Sequence, residues 1–102
     1  SQSPDSQLLV KAYPNPFNPE TNIQVSIPGD GNIDLSIFDL QGKQIVDFQK
    51  INQFKGWQNF SWDGQDSFGH TVEAGVYLIK VGFSSTASAI VLNTTSKIVY
   101  LK

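Results

Sequence analysis

Few residues of this chain have types and spacings that could do chemistry. Asp63 and Asp66 lie close together in the run Asp63-Gly64-Gln65-Asp66-Ser67-Phe68-Gly69, with His70 beside it and Asp39 and Glu73 as further carboxylates. Clustered oxygens of this kind suit a hard cation such as Ca²⁺, but the run lacks the alternate ligand positions and distal Glu of an EF-hand loop. Asp next to Gly in a short polar segment accepts bonds from neighbouring backbone amides, and that structural use is the one expected here. His70 is the single histidine, and without a cysteine or a serine elbow it forms no nucleophile–base pair. The other carboxylates are dispersed rather than paired across a cleft as a glycosidase requires. No catalytic, metal-binding or cofactor-binding residue is expected. Trp57 falls out of phase with Phe60 and Trp62, which places it on an outer face, where an indole stacks on a sugar or covers the sheet.

The other candidate is the run Lys97-Ile98-Val99-Tyr100-Leu101-Lys102, an apolar stretch with a lysine at each end. Lysines in such places guard a sheet edge against stray pairing. The same edge can also be read by another protein through strand addition. The residues leave both uses open.

Composition removes whole classes of function. The chain has 102 residues, a net charge of −2 and a pI near 5.0, and none of its seven basic residues is an arginine. Arginine is the usual reader of phosphates and base edges, so nucleic acid is excluded as a partner. The absence of cysteine excludes a disulfide framework and a thiolate metal site. No apolar run approaches the length of a membrane span. The polar start at Ser1, without Met, reads as a piece of a longer protein. Residues 1–7 read as linker and residues 8–102 as one domain, expected to be monomeric.

The elements that must position these residues are strands. Apolar side chains alternate at Ile23, Val25 and Ile27, at Ile33, Leu35 and Ile37, at Phe60 and Trp62, and at Tyr77, Ile79, Val81 and Phe83. Alternation of this kind marks half-buried strands, and no window keeps a helical period. Pro14, Pro16 and Pro19 forbid helix, so residues 13–19 are expected to be extended and irregular, packing through Tyr13 and Phe17. Residues 43–48 read as a weaker edge strand, and residues 49–56 as a polar connection that Phe54 pins to the core. Residues 84–88 and 93–96 read as turns around a short apolar run at 89–92, and residues 97–101 as the final strand. Short strands separated by turns every few residues predict an all-β fold, an antiparallel β-sandwich of seven or eight strands. The strand opening at Gly75 is expected near its centre.

Taken in order, Tyr13-Pro14-Asn15-Pro16-Phe17-Asn18-Pro19, Thr21-Asn22-Ile23, Ile37-Phe38-Asp39-Leu40-Gln41-Gly42, Trp62-Asp63-Gly64, Ala74-Gly75-Val76-Tyr77 and the stretch from Lys97 to Lys102 resemble the C-terminal sorting domain of proteins exported by the type IX (Por) secretion system of Bacteroidetes-like bacteria. The segment from Trp62 to Gly69 is also similar to the immunoglobulin-like domain of flagellar hook-capping proteins. The resemblance implies an immunoglobulin-like sandwich without catalytic activity. It implies a domain covalently joined to a larger cargo, bound by the secretion translocon and then removed by a sortase-like peptidase, with cleavage in the linker before Leu8. It implies a destination at the cell surface or outside the cell, by way of the periplasm. Carried over by position, Gly75 and Tyr77 match the family's Gly-x-Tyr element, Gly42 its turn glycine, and Lys97, Ile98, Val99, Tyr100, Leu101 and Lys102 its terminal strand, the part tied to recognition. Two other functions fit the residues: a structural assembly module and, through Trp57, a carbohydrate-binding accessory domain. Residues 84–95 form a longer connection than the resemblance leads one to expect, with an additional strand or hairpin predicted at 89–92.

Overall fold

Alternating side chains need two layers to bury one face each, and the computed structural model, which describes residues 7–101, supplies them. Seven strands are present among the described residues: β1 Leu9–Tyr13, β2 Thr21–Ile27, β3 Gly31–Phe38, β4 Gln44–Gln53, β5 Gly56–Trp62, β6 Gly75–Ser85 and β7 Val91–Tyr100. One sheet has the order β1-β2-β5 and the other β4-β3-β6-β7, with every pair antiparallel. The expected sandwich is therefore seen, with seven strands. Ser1 to Ser6 of the predicted linker, and Lys102, lie outside the described residues.

The alternation translates directly into burial. Ile23, Val25 and Ile27 of β2 face Ile33, Leu35 and Ile37 of β3 across the layers, joined by Ile79, Val81 and Phe83 of β6 and Ile98 of β7. Each such side chain contributes roughly 1.5–3 kcal/mol when fully buried. β6 is an interior strand, hydrogen-bonded to β3 on one side and β7 on the other.

The register also defines two poles. Leu9, the turn between β2 and β3, Gly56, and the β6–β7 turn lie at one; Tyr13, Thr21, Phe38, Trp62, Gly75 and Tyr100 lie at the other. At the first pole Asp30 gathers three elements. Its carboxylate accepts from the Lys55 amide at 2.8 Å, and its carbonyl accepts from the Thr86 amide at 3.1 Å.

Four expectations need correction. Residues 49–53 are not a connection but the second half of β4, and Phe54 in the following turn is 79% exposed, so it pins nothing. Tyr13 is 81% exposed, and the proline-rich segment packs through Phe17 alone of the two. The predicted additional strand at 89–92 does not exist separately. Residues 91–100 form one strand, and the apparent insertion extends the β6–β7 hairpin. Asn93, Thr94, Thr95 and Ser96 read as a turn because they are polar, yet the ladder to β6 holds them extended, as the β-branched threonines favour.

Candidate recognition surface

The segments Tyr13 to Pro19, Trp62 to Gly64, Gly75 to Tyr77 and the end of β7 are far apart in sequence but meet at one pole. Phe17 is the hub. Its ring lies 4.8 Å from that of Tyr100, stacked at 24°, and 5.2 Å from Trp62. Trp62 in turn meets Tyr77 edge-on at 5.4 Å. Aromatic contacts of this geometry add roughly 0.5–1.5 kcal/mol each beyond the area they bury. The polar handles are satisfied: Trp62 Nε1–H donates to the Gln65 carbonyl at 2.9 Å, and the Tyr77 hydroxyl donates to the Glu73 carbonyl. Burial, followed by the nearby Asp39 and Glu73 carboxylates, pushes the Tyr77 phenol above its ordinary pKa, so it stays a donor.

The prolines leave residues 13–19 without a ladder of their own, and the segment is tied down by other means. The Thr21 hydroxyl donates to the Pro14 carbonyl at 2.8 Å. Phe17 takes a place beside β7 as a parallel bridge to Tyr100: its N–H donates to the Val99 carbonyl and its carbonyl accepts from Leu101 N–H, both at 2.9 Å. Asn15 completes the seal, its Oδ1 accepting from Val99 N–H at 3.0 Å and its Nδ2 donating to the Lys97 carbonyl at 3.2 Å. The outer edge of β7 from Lys97 to Leu101 is thus already occupied.

Of the sequence-predicted recognition residues, Tyr77, Ile98 and Tyr100 are buried, Val99 and Gly75 half-buried, and Lys97 and Leu101 exposed. Gly75 opens β6 at φ 152°, which a residue with a side chain rarely adopts. Gly42 holds a left-handed turn. The signal missed from sequence is Asn15, whose place before a proline suits an Asx-type turn but whose side chain instead binds a strand that starts far along the chain.

The carboxylates serve loops. Asp66 Oδ1 accepts from the Phe68 and His70 amides at 2.9 and 3.0 Å, Asp63 Oδ1 from the Gln65 amide, and Asp39 Oδ1 from the Gln41 and Lys43 amides. The His70 amide bond, first among these, holds the Asp66 carboxyl below its usual range. No group of three or more His, Asp or Glu among the described residues is arranged to hold a metal ion. Trp57 is half-exposed on the outer face of the three-stranded sheet, as expected, with Lys11 Nζ 4.9 Å from its ring centre.

One charged pair sits on the outer face of the four-stranded sheet. Asp34 and Asp47 lie close enough there to titrate together. The hydrogen bond to Asp47, partial burial and that neighbour's charge push Asp34 up to about 6, while the same bond and those from Ser36 and Gln49 lower Asp47. A proton retained in the fold to about 6 but lost near 3.8 in the unfolded chain makes stability fall as pH rises through that window. Asp47 acts oppositely, its contribution lost as pH falls through its lowered value. Asp34→Asn is expected to flatten the decline between pH 4 and 6 and to stabilise the domain at pH 7.5 by less than about 1 kcal/mol, because both groups are solvent-screened. Thermal melts of both proteins across pH 4–8 measure this; a variant less stable at pH 7.5 contradicts it.

Known proteins share this architecture. PorU from Porphyromonas gingivalis, in its dimeric latent crystal form, contains a domain that superposes with a TM-score of 0.74 over 90% of this chain at 17% identity; the match is 9% of the PorU chain. FlgD from Xanthomonas campestris, a hook-capping protein of flagellar assembly, gives 0.63 over 90% of this chain and 64% of its own at 23% identity. PorZ, a surface component of the type IX secretion system of Porphyromonas gingivalis, gives 0.56 over 91% of this chain and 11% of its own at 18% identity. At these identities the likeness shows the fold, which is immunoglobulin-like. No curated protein matches in sequence. The sequence model of the secretion system C-terminal sorting domain matches residues 11–99. That match spans every segment gathered at the aromatic pole except Leu101 and the second member of the Gly75↔Tyr100 pair. The chain therefore belongs to the family of secretion system C-terminal sorting domains, non-catalytic signals of type IX secretion that send the larger protein carrying them through the periplasm to the cell surface or beyond.

Proposed function

We propose that the export machinery reads this domain at the aromatic pole, on the end of β7. The observation that carries this is the division of labour along that strand. Ile98 and Tyr100 point into the core, while Lys97 and Leu101 stand exposed on a backbone clamped by Asn15 and Phe17. A clamped backbone presents its side chains at little further ordering cost, which favours recognition. Gly75 and Tyr77 act as positioning residues, since Gly75 pairs with Tyr100 and Tyr77 with Ile98. Lys102 extends the same run by sequence.

The partners proposed are the secretion translocon and a sortase-like peptidase that cuts before Leu8. Leu9 lies at the opposite pole of a body 40 Å long, so the two partners address opposite ends. The whole protein's activity resides in the cargo, and this domain contributes no catalysis to it.

The test is a fusion of residues 1–102 to a periplasmic reporter in a host with type IX secretion. Deleting residues 97–102 is expected to stop secretion, but that change also removes Ile98 and Tyr100 from the core. The discriminating variant is Lys97→Glu combined with Leu101→Ser, which touches exposed positions. Secretion is expected to drop while the melting temperature stays put; normal secretion of the folded double variant overturns the reading.

A further inference from the structure

The register determines which backbone groups of β7 face away from β6. Ser85 N–H donates to the Ile90 carbonyl at 3.0 Å, and the β6–β7 pairing then runs without a shift to Gly75↔Tyr100. Even-numbered residues of β7 therefore bond to β6, and odd-numbered ones point outward. Lys97 and Val99 have this outward phase and are bonded by Asn15 and Phe17. Val91, Asn93 and Thr95 share the phase, are exposed, and find no hydrogen-bond partner for their outward groups among the described residues.

The other edges are guarded. β4 carries Asp47 and Lys50, its pairing with β3 is interrupted by two register shifts, and its Ile45 carbonyl accepts from Ser67 N–H at 3.1 Å. The β5 edge is met by Lys50 Nζ on the Asn59 carbonyl. β1 carries Lys11 and runs into Pro14. Charges, prolines and irregular pairing are how edges are kept from adding strands. Residues 81–96 contain no charged side chain and no proline, and Ile90 and Val91 are exposed at the start of the strand.

We propose that the open half of this edge, at Val91, Asn93 and Thr95, accepts an extended strand from the protein that binds the Lys97–Leu101 pole, in the plane of the four-stranded sheet. This rests on the recognition reading above and adds its mode: backbone pairing on the upper half of β7, side-chain contact on the lower. The added strand is rich in β-branched residues, which suit extended pairing on a pleated edge, and it meets Lys80, the cross-strand partner of Thr95, on its exposed face. A second copy of this chain is the weaker occupant. Three outward residues per copy fall well short of the roughly 1,200 Å² that a stable interface buries. A larger partner pairs its strand with the open half alone and gains the rest through other residues that meet the exposed Lys97 and Leu101 side chains.

The reporter fusion tests this with Thr95→Pro, which deletes one outward N–H without touching the β6 ladder, with the double variant Val91→Lys/Thr95→Lys, and with Thr95→Val as control. Thr95→Pro is expected to lower secretion about tenfold, the factor for one unmet backbone bond, and the double lysine variant to lower it as well, since lysines on an edge strand oppose strand addition. Thr95→Val is expected to be secreted normally. Should the proline variant fold poorly, the double lysine variant decides, since both its positions are exposed. Normal secretion of a double lysine variant that melts like the parent overturns strand addition. If Lys97→Glu/Leu101→Ser still blocks secretion in that case, pole recognition survives without it; if it does not, both readings fall.

Discussion

Replacing Phe17 by alanine is expected to cost about 3–5 kcal/mol, the usual toll for removing a fully buried phenylalanine. A domain of this size has roughly 5–15 kcal/mol in total. The ring stacks on Tyr100, touches Trp62 and is 1% exposed, so its loss leaves a cavity bounded by two large, tightly held side chains. The consequence reaches function because the backbone of the same residue brackets Val99 and Leu101. Without the ring, nothing apolar seats the proline-rich segment against β7, and the amides of Val99 and Leu101 lose their protection. Urea unfolding gives the stability, hydrogen exchange at Val99 and Leu101 the local opening, and the reporter fusion the loss of secretion. Tyr13→Ala is the contrast: the residue is 81% exposed, and its removal is expected to change stability by less than about 0.5 kcal/mol. Similar costs for the two variants would contradict the packing described.

Gly64→Ala is the second large effect, at about 2–5 kcal/mol, from two sources. Gly64 has φ +76°, where an L side chain costs roughly 1–2 kcal/mol. An added Cβ would also stand 2.8 Å from Cζ of Tyr100, a ring that cannot retreat because Phe17 stacks on it at 4.8 Å; overpacking of that kind costs typically 1–3 kcal/mol. Gly42→Ala separates the sources. Gly42 has φ +90° but open space around the added carbon, so it is expected to pay the backbone strain alone. Melting the two variants side by side isolates the contact with Tyr100, and equal destabilisation would show that the ring gives way. Gly64→Ala is also expected to impair secretion more than Gly42→Ala, because only the first disturbs the end of β7.

How legible the fold was depends on the element. β2, β3, β5 and β6 announce themselves by strict alternation, because each has one face wholly inside the sandwich. β4 and β7 were read as shorter than they are. Both are edge strands with polar outer halves, held by pairing to an interior neighbour rather than by an apolar face of their own. Phe54 and Tyr13 were assigned to the core on side-chain type alone, and type does not report whether another element arrives to cover a residue. The carboxylates were the opposite case. Asp63, Asp66 and Asp39 act on amides within a few residues, so their role was visible in local spacing.

By itself, the sequence determined the class of fold and, through its ordered motifs, the sorting family. These rest on periodicity, residue type and order, which are properties of the chain in one dimension. Tertiary structure alone decided that the scattered motifs build one aromatic pole. It alone decided that the end of the chain is clamped from Lys97 to Leu101 by Asn15 and Phe17, while the outward groups of Val91, Asn93 and Thr95 have no partner among the described residues. Those outcomes hang on contacts such as Asn15 with Val99, separated by 84 positions, and no local pattern encodes which strand a distant side chain will reach.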